Sequence, residues 1–203
     1  QETRALGLWE QPDDFERVLQ GLRTHAGGYA YEARHRCRDG RTLTCEGSIG
    51  RIEHEGTPAY LAVIRDVSAD RAMRQRLEAS EARYRGLLES MREGYAATDL
   101  SGRITDFNAS FRQMLGYPAD VLKHMTFVEI TPQKWHRFED DLLSTQVLPS
   151  GHSEPYEKEY VDAHGRVFPV EIRTYAETNP DGARIGYWAL ARDITERKLA
   201  ELR

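Results

Sequence analysis

The second half of this chain repeats the first, and both copies close in the same way. One copy ends Ala59-Tyr60-Leu61-Ala62-Val63-Ile64-Arg65-Asp66-Val67-Ser68, the other Gly186-Tyr187-Trp188-Ala189-Leu190-Ala191-Arg192-Asp193-Ile194-Thr195. Each is an apolar run that stops at Arg-Asp, followed by a β-branched residue, a hydroxyl and a charged helical stretch. A repeat of this kind requires two units of one fold. The 203 residues are enough for two small domains. A unit that ends in a strand and runs straight into a helix passes motion along the chain, which points to signalling rather than catalysis.

The match extends upstream. Thr131-Pro132 precedes a helical pattern with Trp135, Phe138 and Leu142 on one face; Gln11-Pro12 precedes Phe15, Val18 and Leu22. Proline fits the first helical position, where its missing N–H costs nothing. Strands follow, Tyr29–His35 in the first copy and Glu154–Tyr160 in the second, each ending at a glycine turn, Arg38-Asp39-Gly40 or Ala163-His164-Gly165. In the next strand Phe168, Val170 and Ile172 face one way, with Glu171 and Arg173 opposite; Leu43, Cys45 and Ile49 oppose Glu46. Period two with one polar side predicts an antiparallel sheet covering a core on one face. Turns at Glu55-Gly56 and Asn179–Gly182 lead to the closing strands. Only the second copy has a front half: strand Gly94–Asp99, turn Leu100-Ser101-Gly102, strand Arg103–Phe107, an Asn108 N-cap, and a helix with Phe111, Met114 and Leu115 ended by Gly116-Tyr117-Pro118. Residues 1–67 are therefore read as the back half of a domain and the chain as a fragment.

Between the copies, residues 68–92 contain no proline and one glycine, Gly86. Met73, Leu77, Ser80, Tyr84, Leu87 and Met91 recur at alternating steps of four and three, an a/d seam. Glu81 precedes Arg85 by four residues in the favourable order. The expectation is a coiled-coil-like linker helix and a homodimer through it. The bland alternative folds Tyr84, Leu87, Leu88 and Met91 back onto the chain's own sheet. A sheet lacking its first two strands also exposes an edge that a second chain could cover.

Composition narrows the function. Net charge is −5 with both signs interspersed, which gives no support for a nucleic-acid partner. No apolar run approaches the ~20 residues that span a bilayer, so no membrane contact is expected in this fragment. No signal peptide is visible, and the opening at Gln1 is that of a fragment. Two cysteines, Cys37 and Cys45, both placed in strands as small buried residues, fit a reducing cytoplasm.

In order, Asp99-Leu100-Ser101-Gly102-Arg103-Ile104, Asn108, Gly116-Tyr117, His164-Gly165 before Phe168-Pro169-Val170, and Arg192-Asp193-Ile194-Thr195-Glu196-Arg197-Lys198 resemble the PAS family with its closing PAC part. The chain looks like a tandem pair; the resemblance covers 81–203 well, and 5–67 through the second half of the fold only. It implies an α+β class, the PAS fold: a five-stranded antiparallel sheet with helices on one face, plus the back half of another copy joined by a long helix. The organisation expected is 1–67 as the half domain, 68–92 as linker helix, 93–195 as the complete domain, and 196–203 as the start of an outgoing helix. PAS domains serve as sensory or dimerisation modules in proteins such as histidine kinases and diguanylate cyclases. No kinase histidine box, nucleotide-binding glycine loop or cyclase motif is present, so no enzyme is expected in this fragment.

Haem-binding relatives place an axial histidine on the helix that carries His136, but the ligand position falls nearer Glu139, which argues against haem. The flavin photoadduct needs a cysteine on the short helix before residue 130, and none follows Cys45; that chemistry is excluded. The seven histidines lack paired metal-ligand spacing, and His35 with Cys37 reads as a solvated or partly buried pair. Glu139-Asp140-Asp141 reads as a solvated acidic face. Glu157 and Glu159, alternating with Tyr156, Lys158 and Tyr160, read as cross-strand partners of Arg173 or Arg192. If an unknown small molecule binds, it should sit between sheet and helices of the second copy, against Phe107, Phe111, Met114, Trp135, Phe138, Leu142, Tyr156, Val170, Tyr187 and Trp188. The competing reading is that these side chains fill the core and leave a ligand-free dimerisation or docking module. Asp193-Ile194-Thr195-Glu196 has the form of a capping box that would carry movement of the sheet into the outgoing helix.

Overall fold

The computed structural model describes residues 7–25 and 28–203; the first six residues of the expected half domain lie outside it. The chain divides into two compact units, one up to Glu81 and one from Ala82 onward.

In the first unit, helix α1 (Pro12–Thr24) starts on Pro12 with Asp13 and Asp14 in its first turn, where carboxylates oppose the positive helix end. Val18 and Leu22 are buried as the spacing requires. Asp14 is buried too, and pairs with Arg17 one turn on. Strands β1 (Tyr29–Arg36), β2 (Thr42–His54) and β3 (Thr57–Asp66) form an antiparallel sheet in the order β1-β2-β3. The β2–β3 hairpin turns on Glu55 and Gly56, with φ of 52° and 72°, the paired positive angles of a two-residue turn whose twist matches the strands. Cys45 is buried in β2. Cys37 corrects the expectation: it lies past the end of β1, because the Asp39 carboxylate accepts the Arg41 N–H and closes the turn just there. Tyr60, Leu61, Val63 and Ile64 of β3 are exposed, and among the described residues β3 pairs with β2 alone.

Helix α2 (Ser68–Ser90) has no buried residue. It ends before Met91, so the sixth seam position stands outside it.

The second unit holds a five-stranded antiparallel sheet: β4 (Gly94–Asp99), β5 (Ile104–Phe107), β6 (Tyr156–Val161), β7 (Val167–Thr178) and β8 (Arg184–Asp193), in the order β5-β4-β8-β7-β6. Phe168, Val170 and Ile172 turn inward and are buried. They meet Ile104, Leu122, Ile130 and, from helix α3 (Ala109–Leu115), Phe111 and Leu115. Asn108 does more than cap α3. Its Oδ1 accepts from the N–H groups of Phe111 and Tyr95, both at 2.9 Å, and its Nδ2 donates to the carbonyls of Leu88 and Glu93. One buried amide thus closes the helix start, the first strand and the chain entering it. Gly116 ends α3 with φ of 74°, a left-handed conformation that costs glycine nothing. After the short α4 (Ala119–Leu122), Pro132 opens a 3-10 turn (Gln133–Trp135), then α5 (His136–Leu142), a π turn (Leu143–Val147) and α6 (Leu148–Ser150). Helix α7 (Thr195–Glu201) leaves β8 directly.

The start of α7 differs from the expected box. Asp193 Oδ1 accepts from the Thr195 N–H, two residues on, rather than from the third helical residue. Asp66 holds the Ser68 N–H in the same way before α2.

Candidate functional site

A cavity lies between the inner face of the five-stranded sheet and the helices beside it, enclosing about 610 Å³ including its mouth. Its interior has room for only a few waters or one small molecule. Most of the wall is apolar, from Ala96, Ile104, Phe111, Ile130, Leu143 and Ile172.

One side is polar and buried. Lys158 and Glu139 form an ion pair with the side chains 2% and 7% exposed, so water screens it little. The Lys158 ammonium donates to Glu139 Oε1 and, at 2.9 Å, to Thr131 Oγ1, and lies 4.8 Å from the Tyr160 ring centre. Thr131 Oγ1 can accept because its own proton goes to the Phe127 carbonyl. The Tyr156 hydroxyl reaches Glu139 Oε1 at 3.3 Å and Thr174 Oγ1 at 3.2 Å. Glu139 Oε2 is buried and has no hydrogen-bond partner among the described residues. Burial pushes the Lys158 ammonium below the usual lysine range, with Glu139 working the other way. Burial first, and the Glu139 charge second, raise the phenols of Tyr156 and Tyr160, so both stay neutral hydrogen-bonding groups.

The structure sorts the ten residues proposed from the sequence. Phe111, Tyr156, Tyr187 and Trp188 border the cavity. The Trp188 ring, though, stacks on Tyr175, 3.9 Å away and 8° from parallel. Val170 is fully buried in the core, with Phe107 and Met114 packed against it. Leu142 is buried, but its neighbour Leu143 faces the cavity. Trp135 donates its ring N–H to Glu159, and Phe138 is 42% exposed beside Tyr156. The helix face is shifted because Trp135 closes a 3-10 turn; three residues per turn, rather than 3.6, rotate the phase before α5 begins.

Glu139 therefore corrects the reading of Glu139-Asp140-Asp141 as solvated: Asp140 and Asp141 are exposed, Glu139 is not. Its signal was legible in the strand. Lys158 falls on the inward phase between Tyr156 and Tyr160, and a lysine facing a core needs a counter-charge. The pairing expected for Glu157 and Glu159 also changes. Register sets Glu157 opposite Glu171 and Glu159 opposite Pro169, so neither stands directly across from Arg173 or Arg192. Instead Glu157 pairs with Arg197 and Lys198 of α7, at 2.5 and 2.6 Å, and Glu159 with Lys134 at 2.6 Å. His136 Nε2 lies 2.9 Å from the Thr131 carbonyl, and Cys37 is half-buried. Among the described residues no three metal-ligating side chains cluster.

The family model described as "PAS fold" matches residues 82–194, more than half of the chain. The chain belongs to the PAS family. A second PAS-type model, described as "PAS domain", matches residues 8–69. A PAS domain from Colwellia psychrerythraea superposes with a TM-score of 0.51 at 18% identity, covering 62% of this chain and 99% of that one. The PAS domain of an HTR-like protein from Haloarcula marismortui is 22% identical, with a TM-score of 0.48, over 61% of this chain and 99% of its own. The probable diguanylate cyclase DgcE of Escherichia coli K12 is 29% identical over 136 residues, 66% of this chain but only 12% of that protein. PAS domains are sensory modules of signalling proteins, and both matched models are of that non-catalytic type. No helix among the described residues is long and apolar enough to cross a membrane.

Proposed function

We propose that this chain is the sensory and relay part of a cytoplasmic, multidomain bacterial signal-transduction protein, and that its second PAS unit takes a small molecule. The observation that carries this is the cavity on the inner sheet face, mainly apolar and holding the buried Glu139–Lys158 pair. A structural core would be filled there, and few domains bury a charge pair without need. The relay runs through β8 into α7: Asp193 holds the first turn of that helix, and Arg197 and Lys198 tie it to Glu157 and Glu171 on β6 and β7. A ligand that shifts the sheet moves those anchors. Helix α2 supplies the contact with a second copy. The likeness to a probable diguanylate cyclase supports a cyclase as output of the parent, with a histidine kinase as the other output that PAS modules serve. The test is native mass spectrometry of the purified protein, which reads subunit count and retained small molecules together. A dimer with a small-molecule adduct on each subunit is expected; a bare monomer would overturn both parts. The narrowness of the cavity favours a second reading, a ligand-free dimerisation or docking module, for which a dimer without adducts and without response to added small molecules is the signature.

A further inference from the structure

What the cavity selects, given the pocket reading above, is set by Glu139. Glu139 is buried, lines the cavity and has one carboxylate oxygen, Oε2, with no partner among the described residues. A buried carboxylate oxygen left without a donor is costly. Its sister Oε1 is already served by Lys158 and Tyr156. The wall as a whole is charge-balanced, because Glu139 is neutralised by Lys158. An anion entering here would find the ammonium already held by Glu139, Thr131 and the Tyr160 ring. A cation would add an unmatched positive charge beside it. The remaining wall is mainly apolar, with Ile104, Phe111 and Ile172 in it; its other polar groups are neutral, among them the hydroxyls of Thr98, Thr174 and Tyr187, and none of them supplies a second charge. The room is that of a small molecule.

We propose that the second PAS unit binds a small neutral molecule with an apolar body and one O–H or N–H group that donates to Glu139 Oε2. Water does not meet this description, since it fills the polar end and leaves the apolar walls without contacts.

The experiment titrates the whole chain with three probes of similar size, phenol, toluene and benzylammonium, and follows the methyl signals of Ile104 and Ile172 by NMR. Phenol should bind about ten-fold or more tightly than toluene, the worth of one hydrogen bond to a buried charge, and benzylammonium weakest. Glu139→Gln should collapse the preference for phenol over toluene to within about three-fold. Should that variant fail to fold, Glu139→Leu with Lys158→Met removes both charges together and gives the same comparison. Equal binding of phenol and toluene would overturn the inference and leave the pocket reading intact. Tightest binding by benzylammonium would overturn the neutral-ligand assignment. If no probe moves either methyl, the pocket reading falls and the inference with it.

Discussion

Lys158 is where folding and function compete within one residue. Its side chain is almost wholly buried, and its ammonium is held by Glu139 and Thr131. Removing the charge alone strands the Glu139 carboxylate in a site that is 5% exposed. Lys158→Met should therefore cost about 3–5 kcal/mol, whereas Lys158→Met with Glu139→Leu should be close to neutral or stabilising. Urea unfolding of the two variants, with equal dependence on denaturant, checks this; a cost shared equally by both would show that packing rather than the stranded charge matters. The alternation sets Lys158 on the same face as Tyr156 and Tyr160, although no buried lysine was expected from it. What it could not carry was the helix opposite. The 3-10 turn before α5 and the π turn after it are set by backbone hydrogen bonds, and residue spacing alone does not report them. Glu139 consequently read as one more surface acid beside Asp140 and Asp141.

At the scale of elements, the two copies share a junction and differ at one atom. In the first, Val67 donates its N–H to the Thr44 carbonyl, and Thr44 donates its own to Ser68 Oγ at 2.8 Å. In the second, Ile194 donates to the Pro169 carbonyl in the same way. Register makes Pro169 the counterpart of Thr44, because Cys45 pairs with Asp66 and Val170 with Asp193. Proline has no N–H to return, and Thr195 Oγ1, the counterpart of Ser68 Oγ, is buried without a hydrogen-bond partner among the described residues. Ser68→Ala should thus cost about 1 kcal/mol, and Thr195→Val should be neutral or stabilising by up to about 1 kcal/mol. Thermal unfolding of both variants reads the contrast; equal losses would mean that the hydroxyl at each junction serves only as part of the helix start. The repeat itself, its turns and both closing strands were legible, since each depends on local signals such as Arg-Asp, positive-φ glycine and period-two alternation. The asymmetry at Thr195 was not. It arises from a strand register that brings residues 26 apart in sequence together, and no local pattern encodes that. Gly186 is a similar case. A Cβ there would stand 2.1 Å from the Thr98 carbonyl oxygen, whereas its counterpart Ala59 has no strand on that side among the described residues.

For the whole molecule, the decisive surface is on α2. Met73, Leu77, Tyr84 and Leu87 are 69%, 59%, 57% and 58% exposed, and no residue of this helix is buried. Such a helix draws little stability from its own chain, and helices in water hold their shape mainly by packing an apolar face. The alternative, in which Tyr84, Leu87, Leu88 and Met91 fold back on the sheet, is met in part: Leu88 is half-buried with its carbonyl accepting from Asn108, and the Tyr84 side chain hydrogen-bonds Tyr95 of β4, while Leu87 and Met91 stay exposed. A second copy offers the same seam in return, and burying four large side chains from each helix is worth about 1.5–3 kcal/mol apiece before the cost of association. Leu77→Glu with Leu87→Glu places like charges across that seam at two levels. The wild-type chain should scatter light as a dimer of 23.3 kDa subunits, and the variant as a monomer. The unfolding midpoint of the wild type should rise with protein concentration and that of the variant should not, since only a dimer couples its stability to mass action. A wild-type monomer at high concentration, or a variant that still pairs, would place the contact between copies somewhere other than α2.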